Sequence, residues 1–170
     1  PGALDPDFGT DGKITLDPSP GNDLIHAALQ LDDGTILAAG EANGDFAVAK
    51  FNTDGSLVTT FGTNGIATVD ISGGGDYARD ITIDHDGKII LVGRASSTNG
   101  DFAVARFNTD GSLDTSFSND GFLTWSWSHD QYAEAVAVQP DGKILVSGYH
   151  QTAGNMLVAR YLVDGSRDTS

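Results

Sequence analysis

Three short acidic turns in the sequence bring together oxygen-bearing side chains of the kind that bind calcium. They are Asn52-x-Asp54-Gly-Ser56, Asn108-x-Asp110-Gly-Ser112-x-Asp114 and Asp164-Gly-Ser166-x-Asp168. Calcium takes about six to eight oxygen ligands, but glycine stands fourth here, not sixth as in an EF-hand loop, and no glutamate follows. Asn and Asp also stabilise turns by accepting hydrogen bonds from nearby backbone N–H groups. We expect structural turns and no cofactor; the alternative is a weakly bound calcium or sodium ion at Asp54, Asp110, Asp114 and Asp164.

A basic side chain recurs near the end of one apolar segment in each third of the chain, at Lys50, Arg106 and Arg160. A cation with apolar neighbours needs a partner, because a partly buried charge left alone is costly. Its recurrence favours a structural ion pair with an aspartate in the segment that follows. Binding of a phosphate group is the functional alternative.

Side chains that differ between equivalent positions could form a ligand surface. Seven residues before a recurring Asp-Gly pair stand His26, Arg79 and Glu134; eight residues after that aspartate stand Glu41, Arg94 and Tyr149, and His150 follows the last of them. A position that stays identical has the same structural role each time, whereas one that changes is exposed or individually specialised. Neutral variation on a solvated rim is one interpretation, and an asymmetric ligand surface at the strand ends is the other.

The last third of the chain is rich in aromatic residues, among them Trp125, Trp127, Tyr132, Tyr149 and Tyr161. Exposed aromatic faces beside Asp and Asn could stack on sugars, which would make this part a carbohydrate-binding surface. However, Trp125 aligns with Leu16 and Val69, and Trp127 aligns with Pro18 and Ile71. All of these positions are apolar, so packing in a core is the expected role of the tryptophans.

Signals for catalysis are weak, and we expect no enzyme. The four histidines occupy unrelated positions, without the spacing of a metal-binding or protease motif. A glycoside hydrolase needs two facing carboxylates, which Asp80 or Glu134 could supply with another aspartate. In so acidic a chain such pairs arise easily, so a hydrolase or lyase is only a remote alternative.

Composition excludes several other classes of function. The sequence has 170 residues, no cysteine and a formal net charge of −15. A strong negative charge repels nucleic acid and anionic membranes, and the lack of cysteine excludes disulfide scaffolds and thiolate chemistry. No apolar run reaches the length of about 18 residues that suggests a transmembrane helix. We expect a soluble protein that binds neither nucleic acid nor membrane.

Internal repetition shows which elements must position these residues. Asp45-Phe-Ala-Val-Ala-Lys-Phe-Asn-Thr-Asp-Gly-Ser-Leu57 recurs from Asp101 to Leu113 and, more loosely, from Asn155 to Arg167. Two further markers repeat in step: an Asp-Gly hairpin at Asp33, Asp86 and Asp141, and a Phe-x-x-x-Gly segment at Phe8, Phe61 and Phe117. Residues 1–170 therefore form one repeat domain with units 4–56, 57–112 and 113–166, and 167–170 start the next linker.

Each unit of about 55 residues is predicted to contain four antiparallel strands. The first follows the Phe-x-x-x-Gly segment (Lys13–Leu16, Ile66–Ile71 and Phe122–Trp127), two flank the Asp-Gly turn, and the fourth is the Phe-Ala-Val-Ala segment. Four hairpin-linked strands make one blade of a β-propeller. The expected fold is all-β: three propeller-type blades with about twelve strands and almost no helix.

The first unit departs from the pattern before its Asp-Gly turn. Its apolar pair is Leu29 and Leu31, one residue out of step with Ile81 and Ile83 in the second unit. A slip of one residue turns side chains to the other face of a sheet. We therefore expect a β-bulge or a turn of about three residues beside Asp32-Asp33 that restores the pairing.

These motifs resemble the delta-60 repeat family, which occurs in large bacterial surface or secreted proteins and is related to propeller blades. Leu4-Asp-Pro-Asp-Phe-Gly9, Asp141-Gly-Lys-Ile144 and Phe102–Leu113 match its pattern closely, while Thr35, Val58 and Leu162 depart from it. The resemblance implies a propeller fold and an extracellular or cell-surface location in a bacterium. It brings no shared catalytic residues.

The expected function is a non-catalytic binding or structural module of an exported bacterial protein. Three blades are too few to close a ring, since propellers usually have four to eight. An open stack would expose apolar faces, for which Phe46, Val48, Val136 and Val138 are the candidate residues. We expect either a homodimer that forms a six-bladed ring or closure by neighbouring repeats of a longer chain. A glycan or a protein is the candidate ligand.

Overall fold

The computed structural model describes residues 2–96, 100–126, 130–150 and 154–169, and this part of the chain is all-β. Its strands are β1 (Asp23–Gln30), β2 (Ile36–Ala42), β3 (Asp45–Phe51), β4 (Ile66–Val69), β5 (Tyr77–Ile83), β6 (Ile89–Ala95), β7 (Asp101–Phe107), β8 (Phe122–Trp125), β9 (Gln131–Val138), β10 (Ile144–His150) and β11 (Asn155–Tyr161). The described residues contain no α-helix, and hence none that could span a membrane. The predicted all-β fold is confirmed.

The strands form three antiparallel sheets that follow the order of the chain. Sheet 1 is β1-β2-β3-β4, sheet 2 is β5-β6-β7-β8, and sheet 3 is β9-β10-β11. In each sheet the first hairpin closes at the recurring Asp-Gly turn. In sheet 2, for example, Asp84 N donates to Lys88 O at 2.9 Å, and Gly87 adopts a φ of 75° that favours glycine.

The sheets are offset from the sequence units by one strand. β4 lies in the second unit but pairs with β3 of the first, and β8 pairs with β7 in the same way. The predicted strand Lys13–Leu16 does not form; Lys13 makes isolated bridges to Gly9 and Thr10. The described residues therefore contain eleven strands rather than twelve, because within them no strand equivalent to β3 lies beside Lys13–Leu16.

The predicted irregularity beside Asp32-Asp33 is wrong. The first unit closes its turn as the second does, with Leu31 N donating to Thr35 O at 2.8 Å. Leu29 and Leu31 instead point to the opposite face of their sheet and pack against sheet 2. The slip is tolerated because the positions on the other face of β1, such as Ala28, are exposed.

A β-bulge does occur in every sheet, at another place. The register of the first strand shifts between Ile25 and Ala27, between Ala78 and Asp80, and beside Ala133. The bulge brings a carbonyl oxygen of the first strand against a glycine of the second: Leu24 against Gly40, Tyr77 against Gly93 and Tyr132 against Gly148. A side chain at these glycines would collide with backbone.

Two apolar clusters lie between neighbouring sheets and hold the stack together. The first, between sheets 1 and 2, contains Phe46, Val48, Leu91 and Phe107. The second, between sheets 2 and 3, contains Phe102 and Val104, with Val136 and Val138 packed against it. The prediction that Phe46, Val48, Val136 and Val138 lie on exposed outer faces is therefore wrong, because these side chains point toward the neighbouring sheet.

The two outer faces of the stack are apolar in different ways. On sheet 1 a third cluster contains Ala38, Ala49 and Phe51 and is covered in part by Ile14 and Leu16 from the N-terminal segment. On sheet 3 the side chains of Met156 and Val158 are 94% and 71% exposed. We call these surfaces the sheet 1 outer face and the sheet 3 outer face.

Candidate functional site

The first strands of the three sheets lie side by side, so that β5 contacts both β1 and β9. The β-bulges of these strands fall at His26, Arg79 and Glu134. A bulge places two residues opposite one and re-aims the side chain there. The three variable side chains seven residues before each Asp-Gly turn are therefore displayed at equivalent points of adjacent strands.

Aromatic and cationic side chains form a continuous row across these strands. The ring centroids of His26 and Tyr77 are 6.0 Å apart, and the Arg79 guanidinium lies 4.9 Å from the Tyr77 ring centroid. The Arg94 guanidinium interacts with the Tyr77 side chain and lies 5.0 Å from the Tyr132 ring centroid. We call this the tyrosine–arginine row.

The row ends in a stack on sheet 3. Tyr132 and Tyr149 face each other across β9 and β10, with ring centroids 4.9 Å apart and planes tilted by 10°. An Arg94 amino group lies 3.5 Å from an Asp130 carboxylate oxygen. Asp130, directly before β9, thus contacts Arg94 near the end of β6.

The electrostatics of the tyrosine–arginine row favour a ligand that carries hydrogen-bond acceptors. Within the described part of the chain, the Nε atoms of Arg79 and Arg94 are buried and have no hydrogen-bond partner. Burial lowers the pKa of Arg94, but the polar interaction with Tyr77 and the electrostatic effect of Tyr132 outweigh burial, so the pKa is raised. Burial raises the pKa of Tyr132 against the opposing effect of Arg94. Both arginine side chains are partly exposed and permanently charged, so their terminal N–H groups can donate to a carboxylate or to hydroxyl groups.

The acidic turns use their carboxylates locally. Asp54 Oδ1 accepts from the Ser56 backbone N–H at 2.9 Å and from the Ser56 hydroxyl at 2.7 Å, and Asp110 and Asp164 repeat the arrangement. The serine hydroxyl is the main cause that lowers the pKa of each of these aspartates. Among the described residues no three His, Cys, Asp or Glu side chains converge as metal ligands would.

Arg106 and Asp114 form the centre of a buried ion network. Arg106 Nε donates to Asp114 Oδ2 at 2.7 Å, and Lys88 Nζ approaches the same oxygen at 2.8 Å. Burial opposes ionisation of Asp114, but the Lys88 and Ser116 hydrogen bonds and the Arg106 charge hold its pKa well below the ordinary range. In the third unit Arg160 Nε lies 2.7 Å from Asp168 Oδ2, and Lys143 approaches the same carboxylate at 3.1 Å.

Lys50 departs from this pairing. Val58 stands at its equivalent of Asp114, and Thr35 stands at the equivalent of Lys88, so both partners of the network are replaced together. The structure gives Lys50 no salt bridge within the described residues, although its charge helps to lower the pKa of Asp33. The predicted ion pair with a following linker aspartate thus has no partner in the first unit.

Sequence comparison identifies the repeat. The pattern of the family described as "Domain of unknown function (DUF5122) beta-propeller" matches residues 31–61, 85–117 and 139–170, which together cover more than half of the chain. The chain belongs to this DUF5122 beta-propeller family. A search of curated proteins finds no match.

The other predicted ligand residues lie at separate positions in the sheets of the DUF5122 repeats. Glu41 lies opposite Leu24 and Phe46 in sheet 1, Glu134 is exposed at its bulge, and His150 is half-buried at the end of β10. Trp125 packs edge-on against Phe102 at 6.4 Å between ring centroids, and the Arg167 guanidinium lies 4.8 Å from its ring. Trp127 lies outside the described residues.

Tyr77 belongs to the row, although its position in the sequence did not single it out. It stands nine residues before the Asp-Gly turn, at the position that Leu24 and Tyr132 occupy in the other DUF5122 units. Comparison of the units at this position, two residues before the bulge, would have found it. The β-bulge that brings the position next to Arg94 leaves no signature in the spacing.

Proposed function

We propose that the chain is a non-catalytic binding or structural module of an exported bacterial protein, and that a second copy completes its ring of sheets. A single observation carries the proposal: each outer face of the stack is equivalent to a face that is buried elsewhere in the same molecule. The resemblance of the sequence to delta-60 repeats supports the proposed export and the proposed bacterial origin. The matches to the propeller family support a ring as the closed form.

The sheet 1 outer face is equivalent to the face that sheet 2 buries against sheet 1. Ile36, Ala38 and Phe51 correspond to Ile89, Leu91 and Phe107, which are at most 2% exposed. On sheet 1 the open space above these residues forms grooves lined by Ile25, Ala38 and Ala49. This face has the shape and composition of one half of an interface between sheets.

The sheet 3 outer face supplies the other half. Met156 and Val158 correspond to Phe102 and Val104, which are fully buried between sheets 2 and 3. Two copies arranged head to tail would bury both kinds of face twice and give six sheets around a two-fold axis. Six is within the usual range for propellers, and two-fold symmetry is the commonest closed arrangement of soluble oligomers.

A surface substitution tests this assignment. Val158→Asp places a charge in the centre of the proposed interface and should shift the population measured by light scattering toward the monomer. Val163→Asp is the matched control, because Val163 is also exposed but lies in the turn after β11. Equal dimer populations for both variants would contradict the proposed interface and favour neighbouring repeats of a longer chain as the partners of these faces.

Carbohydrate binding is a second candidate function, and the tyrosine–arginine row favours it. Tyr149 is 39% exposed and stacks on Tyr132, whose ring centroid lies 5.0 Å from the Arg94 guanidinium. Aromatic faces next to guanidinium donors suit a sugar that carries a carboxylate. Binding of acidic glycans on an array, lost in Tyr149→Ala, would support this function. Turnover of a polysaccharide panel would instead establish a hydrolase or lyase.

A further inference from the structure

The segment Lys13–Leu16 lies where the closing strand of a preceding sheet belongs. The Gly9 N–H that precedes it donates to Asp54 O at 2.8 Å. The segments before β4 and β8 make the equivalent bonds, Gly62 N to Asp110 O at 2.8 Å and Ser118 N to Asp164 O at 2.9 Å. Lys13–Leu16 is therefore attached to sheet 1 as β4 is attached to sheet 2.

The side chains of this segment also pack as those of a closing strand do. Ile14 and Leu16 contact the apolar cluster of the sheet 1 outer face. Their equivalents Ala67 and Val69 in β4 contact the cluster between sheets 1 and 2 in the same manner. The segment is thus positioned by its apolar side chains, while within the described residues no strand pairs with it.

The strand β11 has the matching defect. It pairs with β10 along one edge, and in the described part of the chain its other edge has no neighbouring strand. The equivalent edge of β3 binds β4 with Val48 opposite Ala67, and that of β7 binds β8 with Val104 opposite Leu123. Exposed edges with unpaired backbone groups readily accept a further strand.

We propose that Lys13–Leu16 of a second copy adds to β11 as the fourth strand of sheet 3, and this inference rests on the ring proposed above. Transfer of the β3–β4 register places Ala159 opposite Lys13, Val158 opposite Ile14, Leu157 opposite Thr15 and Met156 opposite Leu16. The exchange is reciprocal, so one two-fold assembly completes both incomplete sheets and covers both outer faces.

The linker is the segment that precedes the first strand of a unit. Where two copies join, residues 167–169 of one copy and residues 2–7 of the other are both linkers and would occupy the same place, so one of them must be displaced. Arg167 bridges Tyr161 as Leu57 bridges Phe51, so residues 167–169 already occupy the position that Leu4 and its neighbours would take from the second copy. The Asp168 ion pairs with Arg160 and Lys143 hold the C-terminal linker. Leu4 is 59% exposed and residues 2–7 are all exposed, so the N-terminal linker is displaced.

Register-specific crosslinking tests the proposed strand pair, since the chain has no cysteine of its own. Leu157→Cys with Thr15→Cys places the two sulfurs on directly opposite residues, within reach of a disulfide. Leu157→Cys with Asp17→Cys is the control, because a diagonal pair lies about 7–8 Å apart and is too distant. We expect a covalent dimer from the first double variant and much less from the second.

The outcomes separate this inference from the ring itself. A dimer by light scattering in which both double variants crosslink equally poorly would overturn the strand exchange and leave the ring in place. A monomer at every concentration would overturn the ring and the strand exchange together. Preferential crosslinking of the Leu157–Thr15 pair supports both.

A backbone substitution provides a second test. Lys50 N donates to Gly65 O and Arg106 N donates to Gly121 O, so every second N–H group along β3 and β7 faces the fourth strand of its sheet. Val158 is one of the corresponding alternate residues of β11, so its N–H group faces the open edge. Val158→Pro removes that donor at an unpaired edge, where proline is tolerated. It should weaken dimerisation about tenfold, whereas Val158→Thr keeps the N–H and should weaken it far less. Equal weakening by both variants would overturn the strand exchange.

Discussion

Arg106 shows at the scale of one residue why a cation recurs near the end of β7 and β11. Its side chain is 5% exposed, and besides Asp114 it donates from a terminal nitrogen to Val163 O at 2.6 Å and lies over the Phe117 ring. Arg106 therefore connects Asp114, in the segment that follows β7, to Val163, in the acidic turn of the third unit. Removal of one partner of such a buried pair costs about 3–5 kcal/mol, because the other charge is left uncompensated.

The pH dependence of stability follows from Asp114. Its pKa is depressed in the folded state, so the stabilisation is complete above the unfolded value near 4 and is lost as the pH falls toward the folded value. We expect urea unfolding of the native chain to show a loss of stability below about pH 5. Asp114→Asn should be less stable at pH 7 and lose less on acidification. An Asp11→Asn control, at an exposed position, should follow the native curve.

The acidic turns give a prediction about metals. Because Asp54, Asp110 and Asp164 already accept hydrogen bonds from their own turns, chelation with EDTA should leave the melting temperature unchanged. A ligand that binds only the folded state raises the melting temperature by mass action. A rise of several degrees with added calcium, absent with magnesium, would show that the turns bind the ion.

The sequence predicted part of the candidate site at this scale. His26, Arg79, Arg94 and Tyr149 were recognised because they differ between units, and the structure brings these four into one row. Tyr77 could not be placed there by spacing, since its contact with Arg94 crosses between strands. Lys50 was assigned a partner by analogy, but Val58 and Thr35 have replaced both members of the network.

At the scale of the strands, the β-bulge explains why glycine recurs seven residues after the aspartate of each Asp-Gly turn, at Gly40, Gly93 and Gly148. The carbonyl oxygen of Tyr77 approaches Gly93 so closely that a Cβ atom there would overlap with it. Gly40 and Gly148 meet Leu24 and Tyr132 in the same way. These three positions therefore require glycine because a side chain would clash with the neighbouring strand, although none of the three glycines has a positive φ.

Substitution of Gly93 tests this explanation. Gly93→Ala should destabilise the chain by about 2 kcal/mol or more, because the backbone of β5 must move to accommodate the methyl group. Gly75→Ala is the matched control, because a methyl group at Gly75 would meet no described atom within 4 Å and its φ is not positive. Chemical denaturation measures both. Equal stability of the two variants would show that the bulge can relax.

The sequence predicted the strands well and their partners less well. Alternating apolar residues and Asp-Gly turns located eleven strands to within about two residues of their ends. The repeat markers could not show that β4 closes the sheet before its own unit, because a period has no intrinsic starting point. Nor could they show that Leu29 and Leu31 face the next sheet, which depends on which neighbour is present.

At the scale of the whole molecule, closure of the ring depends on what covers the two outer faces. Met156 and Val158 on sheet 3 and the grooves of sheet 1 are equivalent to buried positions elsewhere in the stack. The net charge of −15 on each copy opposes assembly. Because salt screens exposed charges but leaves apolar burial in place, dimerisation should strengthen as the ionic strength rises.

Sedimentation equilibrium of the native chain over a range of salt concentrations is the most direct test of ring closure by a second copy. We expect a species of twice the chain mass of 17.7 kDa, with an association constant that increases with salt. A well-folded species of 17.7 kDa at every salt concentration and at micromolar protein would contradict the dimeric ring.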